Sequence, residues 1–278
     1  MSVLILMTVV VAGAAGQLVD AMAGMGFGVL ASSIMVAGGV SPVLVVSVVN
    51  TAKVGSGLAS GFSHWHFGNI NWSWVTPLAI AGVIGGIAAA LMLTRLPVGA
   101  TRLGVPVILL AMGALLVRRY VFGVGLLPRV AGGSIDQVAE LPQGCWQGRV
   151  GAAVRAHPAL RLAGIGVLAG ALNGVSGAFG PFATTAVMLT TSHHPRYAIG
   201  TVNFVEFFVA AAISATLFLQ LGLSDFPWQL TLALVAGSLV TAPLGAFVSR
   251  HIPARFLGLI VGITLIIINV WSIGRALA

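Results

Sequence analysis

Eight long apolar runs dominate this chain, at about 3–38, 41–62, 72–93, 99–117, 161–191, 197–221, 227–249 and 254–274. A helix rises about 1.5 Å per residue and a bilayer's hydrocarbon core is about 30 Å thick, so each run is long enough to span. Together they leave little chain from which to build a water-facing surface. Charged residues make up 6% of the chain, against about 25% in soluble domains. Helices are the favoured solution, because a helix satisfies its own backbone hydrogen bonds in lipid. The expected fold is all-α and polytopic, with about eight transmembrane segments. The net charge of +8 does not point to nucleic acid. The basic residues fall between apolar runs, where Lys and Arg set topology at the lipid headgroups. A single cysteine, Cys145, rules out an internal disulfide and a cysteine-based metal cluster. The opening MSVLILMTVVVAGAAG has no basic flank and stays apolar past its small residues. It reads as a first membrane segment, not a cleaved signal peptide.

The runs fall into two similar halves. Phe27-Gly28-x-x-Ala31-Ser32-Ser33 matches Phe179-Gly180-x-x-Ala183-Thr184-Thr185. In the same order, Pro42 matches Pro195, Asn50 matches Asn203, Trp74 matches Trp228, Arg95 matches Arg250 and Pro97 matches Pro253. The offset between the halves drifts in one direction, as small insertions produce. The expected organisation is a first membrane repeat over 1–127, a solvated Gly/Pro/Arg-rich linker over 128–160, and a second repeat over 161–278. Two repeated membrane halves are a recurrent plan of secondary transporters, with the substrate site at their interface.

The first segment of each half is too long to be one helix. Val3–Gly38 would run ~54 Å as a single helix, well beyond the bilayer core. Glycine weakens helix and permits irregular backbone, so the breaks are expected at Ala23–Gly28 and Gly174–Pro181. Non-helical backbone at membrane depth survives only inside protein or beside a water-filled cavity. The glycines and phenylalanines of these breaks, Gly24, Gly26, Phe27, Gly28, Gly177, Phe179 and Gly180, are therefore candidate substrate-binding residues. Half-helices starting after them would offer free N–H groups and positive dipole ends to an anion. Ser32, Ser33, Thr184 and Thr185 lie within two turns and can add hydroxyl donors. The competing reading is tight packing of helices through small residues.

Lys53 and Glu206 are charges in the middle of spans. They occupy equivalent positions, each three residues after an asparagine, so that Asn50 and Lys53 share one helix face, as do Asn203 and Glu206. A charge in the bilayer is costly and faces a cavity or a partner. One reading makes Lys53 an anion ligand and Glu206 a proton-coupling carboxylate. The other makes them a buried ion pair between the halves. Asp20, with Asn173 as its near-counterpart, is expected to cap broken backbone rather than bind substrate.

Other motifs point less far. His64-Trp65-His66 resembles a metal site but has no Cys, Asp or Glu nearby. With Trp72 and Trp74 following, it reads as interfacial belt. His193-His194 reads as an interfacial loop. Gly-Val-Ser-Gly around Ser176 resembles the nucleophile motif of some intramembrane serine proteases. That chemistry needs a histidine within reach, no histidine sits in mid-span, and the counterpart of Ser176 is Gly24. No P-loop is present. The chain is expected not to be an enzyme and to need no cofactor or metal.

Several stretches together resemble the sulfite exporter TauE/SafE family of membrane transporters. They are Gly68-Asn69-Ile70-Asn71-Trp72, the run Ala198-Ile199-Gly200-Thr201-Val202-Asn203-Phe204-Val205-Glu206-Phe207-Phe208-Val209, Ala242-Pro243-Leu244-Gly245-Ala246, and Ile252-Pro253-Ala254-Arg255. The likeness covers nearly the whole chain outside Pro128–Pro158. It implies a multi-pass protein of a bacterial-type cytoplasmic (inner) membrane that moves small anions, with sulfite and organosulfonates the associated substrates. The expected partners are a small anionic substrate, coupled protons and the lipid bilayer. The alternatives are an anion channel and a non-transporting membrane partner subunit. Positive charge divides between the linker and the loops carrying Arg95 with Arg102 and Arg250 with Arg255. Whether the repeats are parallel or inverted depends on whether the broken segments cross the membrane or re-enter it.

Overall fold

A computed structural model describes residues 3–23, 26–122, 158–190, 195–222, 224, 226–248 and 254–277. Ten α-helices account for these residues: α1 (Val3–Ala23), α2 (Phe27–Ala37), α3 (Pro42–His66), α4 (Trp72–Arg95), α5 (Val98–Phe122), α6 (Pro158–Ser176), α7 (Phe179–Thr190), α8 (Pro195–Leu221), α9 (Trp228–Val248) and α10 (Ala254–Leu277). Seven helices are long and apolar enough to cross a membrane, and α2, α7 and the Trp228–Thr241 part of α9 are shorter apolar helices. The protein is a polytopic all-α membrane protein. Large apolar side chains such as Leu4, Ile84, Leu219 and Ile267 stand exposed on its outside, which suits a lipid solvent. The linker stretch 128–157 lies outside the described residues, as do Gly24, His193 and His194. The second half opens at Pro158, slightly before residue 161.

Both long first segments break in the expected glycine stretches. The first helix stops at Ala23 and the next starts at Phe27; the second break runs from Ser176 to Phe179. Gly177 has φ +78°, a left-handed conformation that a side chain disfavours. The two pieces of each segment then run back alongside one another. In the first, Gly16 sits beside Phe27 and Gly38 beside Thr8. In the second, Arg161 near the start of α6 reaches the Thr190 carbonyl at the end of α7. Each broken segment is therefore a helical hairpin, and its open end leads within a few residues into α3 or α8.

Those two helices set the relation between the halves. Thr51 meets Ser214 at 2.6 Å, and His64 lies 3.3 Å from Asn203, so α3 and α8 run antiparallel. Since α3 starts at the mouth of the first hairpin and α8 at the mouth of the second, the mouths lie on opposite faces. The hairpins enter from opposite sides and their tips meet, with a Cβ at Gly28 overlapping the Gly177 carbonyl oxygen. Helices α3, α4, α5, α8, α9 and α10 surround the pair. One face carries residues 38–41, 96–97 and the end of α10; the other carries residues 67–71 and the two ends of the linker. We call these the terminal face and the linker face.

Packing follows the same exchange. The main helix partners are α4 with α6, α1 with α9, α3 with α8 and α5 with α10. Swapping the first five helices for the last five returns the same pairs. Glycine makes the closest of these contacts possible. A Cβ at Gly170 would overlap the Gly82 carbonyl, and one at Gly85 the Val167 carbonyl, so α4 and α6 touch backbone to backbone, as small residues allow in lipid.

Candidate functional site

Lys53 lies near the middle of α3 and Glu206 in the first half of α8, and the antiparallel pairing of those helices brings them together. Lys53 forms a buried salt bridge with Glu206 Oε1. Its Nζ also donates to the Gly177 carbonyl at 2.9 Å and to Asn173 Oδ1 at 3.4 Å. An ammonium has three donors, so all three are engaged, and every acceptor belongs to the second half. Asn173 Nδ2 donates in turn to Asn50 Oδ1 at 2.8 Å, and Asn50 Nδ2 to the Val46 carbonyl at 2.9 Å. Asn50 and Asn173 are fully buried. This network ties the second hairpin tip to the middle of α3.

A small cavity of about 30 Å3 adjoins the pair, lined by Asp20, Gly26, Phe27, Gly28, Lys53, Ser56, Gly57, Ser60, Gly180, Pro181, Asn203 and Glu206. That is room for one or two waters. The two helix ends at the cavity differ. At α2, Asp20 Oδ1 accepts from the backbone N–H of Gly26 at 2.9 Å and Phe27 at 3.3 Å, which is the capping role expected of it. At α7, Asn173 occupies the equivalent sequence position but is turned to Asn50 and Lys53. Among the described residues no side chain caps α7, whose N-terminal turn borders the cavity through Gly180 and Pro181. The positive end of α7 therefore borders the cavity without a side-chain cap among the described residues.

The candidate hydroxyls separate in pairs. Ser33 Oγ accepts from Asn269 of α10 at 2.8 Å. Thr185 Oγ1 accepts from Arg119 of α5 at 2.9 Å and donates to the Pro181 carbonyl at 2.7 Å. These two hold the hairpins to the surrounding helices. Ser32 Oγ and Thr184 Oγ1 are buried with no hydrogen-bond partner among the described residues, and Ser32 lies against Gly177. Phe179 is fully buried and stands behind the cavity rather than in its wall. Ser176 Oγ donates to the Leu172 carbonyl at 2.8 Å, inside its own helix.

The structure adds residues not singled out from the sequence. Ser56, Gly57 and Ser60 line the cavity, and His64, read from the sequence as interfacial belt, meets Asn203 where α3 approaches the linker face. The signal was present: Lys53, Ser56, Ser60 and His64 recur at helical spacing and form one polar stripe along α3. The matching stretch of α8, read from Glu206 toward the terminal face, is Val209, Ala210 and Ile213, all fully buried. Polar lining thus leads from the cavity toward the linker face, and apolar packing closes the other direction.

A sequence model of the family described as sulfite exporter TauE/SafE matches residues 9–271. Over 258 residues the chain is 28% identical to the probable membrane transporter protein YtnM of Bacillus subtilis (strain 168), a stretch covering 92% of this chain and 79% of that protein. No solved structure matches the chain.

Proposed function

Because the chain belongs to the sulfite exporter TauE/SafE family, a family of membrane transporters and not of enzymes, we propose that it exports or exchanges a small anion, sulfite or an organosulfonate, by alternating access. The observation that carries this reading is the meeting of two oppositely entering hairpin tips at a buried Lys53–Glu206 pair. Inverted repeats with broken helices at mid-membrane are a recurrent carrier plan, and we take the halves to be a duplicated unit.

The site works by competition for Lys53. With Glu206 ionised, the ammonium is saturated and no anion is needed. A proton on Glu206 removes that charge and frees one Lys53 donor. A small oxyanion then takes the carboxylate's place, between Lys53, the Asn203 amide and the N–H groups opening α7. Ser32 and Thr184, the two unpartnered hydroxyls, become donors once the tips part. Asp20 already occupies the end of α2, which leaves α7 as the anion-facing end. In a membrane that is negative inside, the potential itself favours outward movement, by about 2.3 kcal/mol per charge per 100 mV.

Orientation supports export. Arg118, Arg161, Arg196 and Arg255 belong to helix ends on the linker face, and the sequence joining those ends adds Arg129, Arg149, Arg155 and Arg250, against Arg95, Arg102 and Arg275 on the terminal face. The positive-inside rule makes the linker face cytoplasmic, in a bacterial inner membrane. The cavity's polar stripe then leads to the cytoplasm.

The test is flux of radiolabelled sulfite into proteoliposomes, with and without unlabelled substrate on the far side. Wild-type flux equal to that of empty vesicles across sulfite, sulfonates and carboxylates overturns the substrate class. Flux without trans-stimulation makes the protein a channel.

A further inference from the structure

A second cavity, of about 320 Å3, opens at the terminal face between the end of α2, the start of α3, α5 and the end of α10. Its walls include Ser41, Arg102 and Arg275, with no carboxylate side chain among the described residues. Arg275 is held in place: it donates to the Ala37 carbonyl at 3.2 Å and lies 4.9 Å over the Trp271 ring. Arg102 is exposed, and among the described residues it has no ion-pair or hydrogen-bond partner. The first turn of α3, which begins at Pro42, adds the positive end of a 25-residue helix and its free N–H groups.

Arg102, Arg275 and Ser41 can donate to an anion here, and they share the space with the carbonyl ends of α2 and α10. Two guanidinium groups, a hydroxyl and a helix N-terminus surround a volume far larger than the central cavity. Arg275 answers those carbonyl ends, and Arg102 has no described counter-charge, so the cavity keeps a positive charge that an anion can meet. Guanidinium is also the side chain best shaped for the paired oxygens of phosphate and related oxyanions. We propose that this cavity is a second oxyanion-binding site, separate from the Lys53–Glu206 site. Its ligand is a tetrahedral or pyramidal oxyanion, supplied either by the phosphate headgroup of an anionic phospholipid or by the transported anion on its way out. The second source rests on the transport reading above; the first does not.

The experiment uses the full chain in detergent and in nanodiscs, with two probes. Retention of phosphatidylglycerol is read by native mass spectrometry, and binding of inorganic sulfate by its effect on melting temperature. Arg102→Gln is the main variant, because that side chain makes no described contact whose loss would unfold the protein. Arg275→Lys keeps the charge but not the fork. Arg102→Gln is expected to weaken the bound probe by about tenfold or more, the loss of one charge-assisted hydrogen bond, and Arg275→Lys to weaken it less. Loss of lipid retention alone identifies the headgroup as the ligand. Loss of sulfate stabilisation, with a raised KM for sulfite efflux, identifies the transported anion. Wild type binding neither probe better than Arg102→Gln overturns the site. Both binding readouts are independent of flux, so a protein that binds sulfate or lipid here yet carries no sulfite refutes transport and not this cavity.

Discussion

Lys53 and Glu206 form a largely buried pair and line the cavity as well. Removing one partner of a buried pair leaves an uncompensated charge, at a cost of about 3–5 kcal/mol, whereas replacing both is far less costly. Lys53→Met and Glu206→Gln alone are therefore expected to lower the melting temperature markedly, and the double variant to recover most of the loss. If the pair is only structural, flux recovers with stability. The proposed mechanism requires the stable double variant to transport no better than empty vesicles, and proteoliposome flux beside a melting curve separates the two. Ser176 and Gly180 make a second contrast. Ser176 bonds only within its helix, so Ser176→Ala is expected to cost about 1 kcal/mol or less and to leave flux intact. Gly180 lines the small cavity, and Gly180→Leu is expected to abolish flux in a protein that still reaches the membrane.

For the helices themselves, two features position the site: hairpins that break at glycine, and glycine faces that let α4 approach α6. The second is open to a direct test. At Gly170 an added side chain meets the Gly82 backbone rather than a movable side chain. Gly170→Leu is expected to destabilise by more than the ~1–3 kcal/mol of ordinary overpacking, read as loss of the monodisperse peak in size-exclusion chromatography. Gly164→Leu is its control, since nothing lies within 4 Å of a Cβ there; a Gly170→Leu protein as monodisperse as that control contradicts the close packing. The breaks were legible in the sequence because excess length and glycine are local signals. The division of hydroxyls was not. Ser32 and Ser33 are neighbours in the chain, yet one bonds to Asn269 and the other has no partner. Adjacent helix positions point about 100° apart, and only the neighbouring helices decide what each one meets.

Taken as a whole, the molecule is two halves of opposite orientation with a polar path on one side. This makes sidedness measurable. In a Cys145→Ser background, a cysteine replacing exposed Phe67 lies on the linker face, and one replacing Gly99, where nothing crowds an added Cβ, lies on the terminal face. A membrane-impermeant maleimide is expected to label Gly99→Cys in intact cells and Phe67→Cys only after permeabilisation. The reverse pattern overturns the assigned orientation, and labelling of both in intact cells overturns the crossing of α4 between the two faces.

The apolar runs, the near absence of charge, the two glycine breaks and the paired Asn-x-x-charge positions determined by themselves that this chain is a polytopic helical membrane protein with two broken segments and two charges in its interior. Each is a statement about residues close together in the chain, and period and composition are enough to make it. Three things were decided only by tertiary structure. The broken segments re-enter rather than cross, because α3 packs antiparallel to α8. The positive end of α7 stays open while that of α2 is closed, because Asn173 turns to Asn50 and Lys53 where Asp20 turns to the backbone. Lys53 and Glu206 meet each other, because the second hairpin tip and α8 converge on the middle of α3. Periodicity shows which residues share a face, and the face opposite them belongs to a helix more than a hundred residues away in the chain.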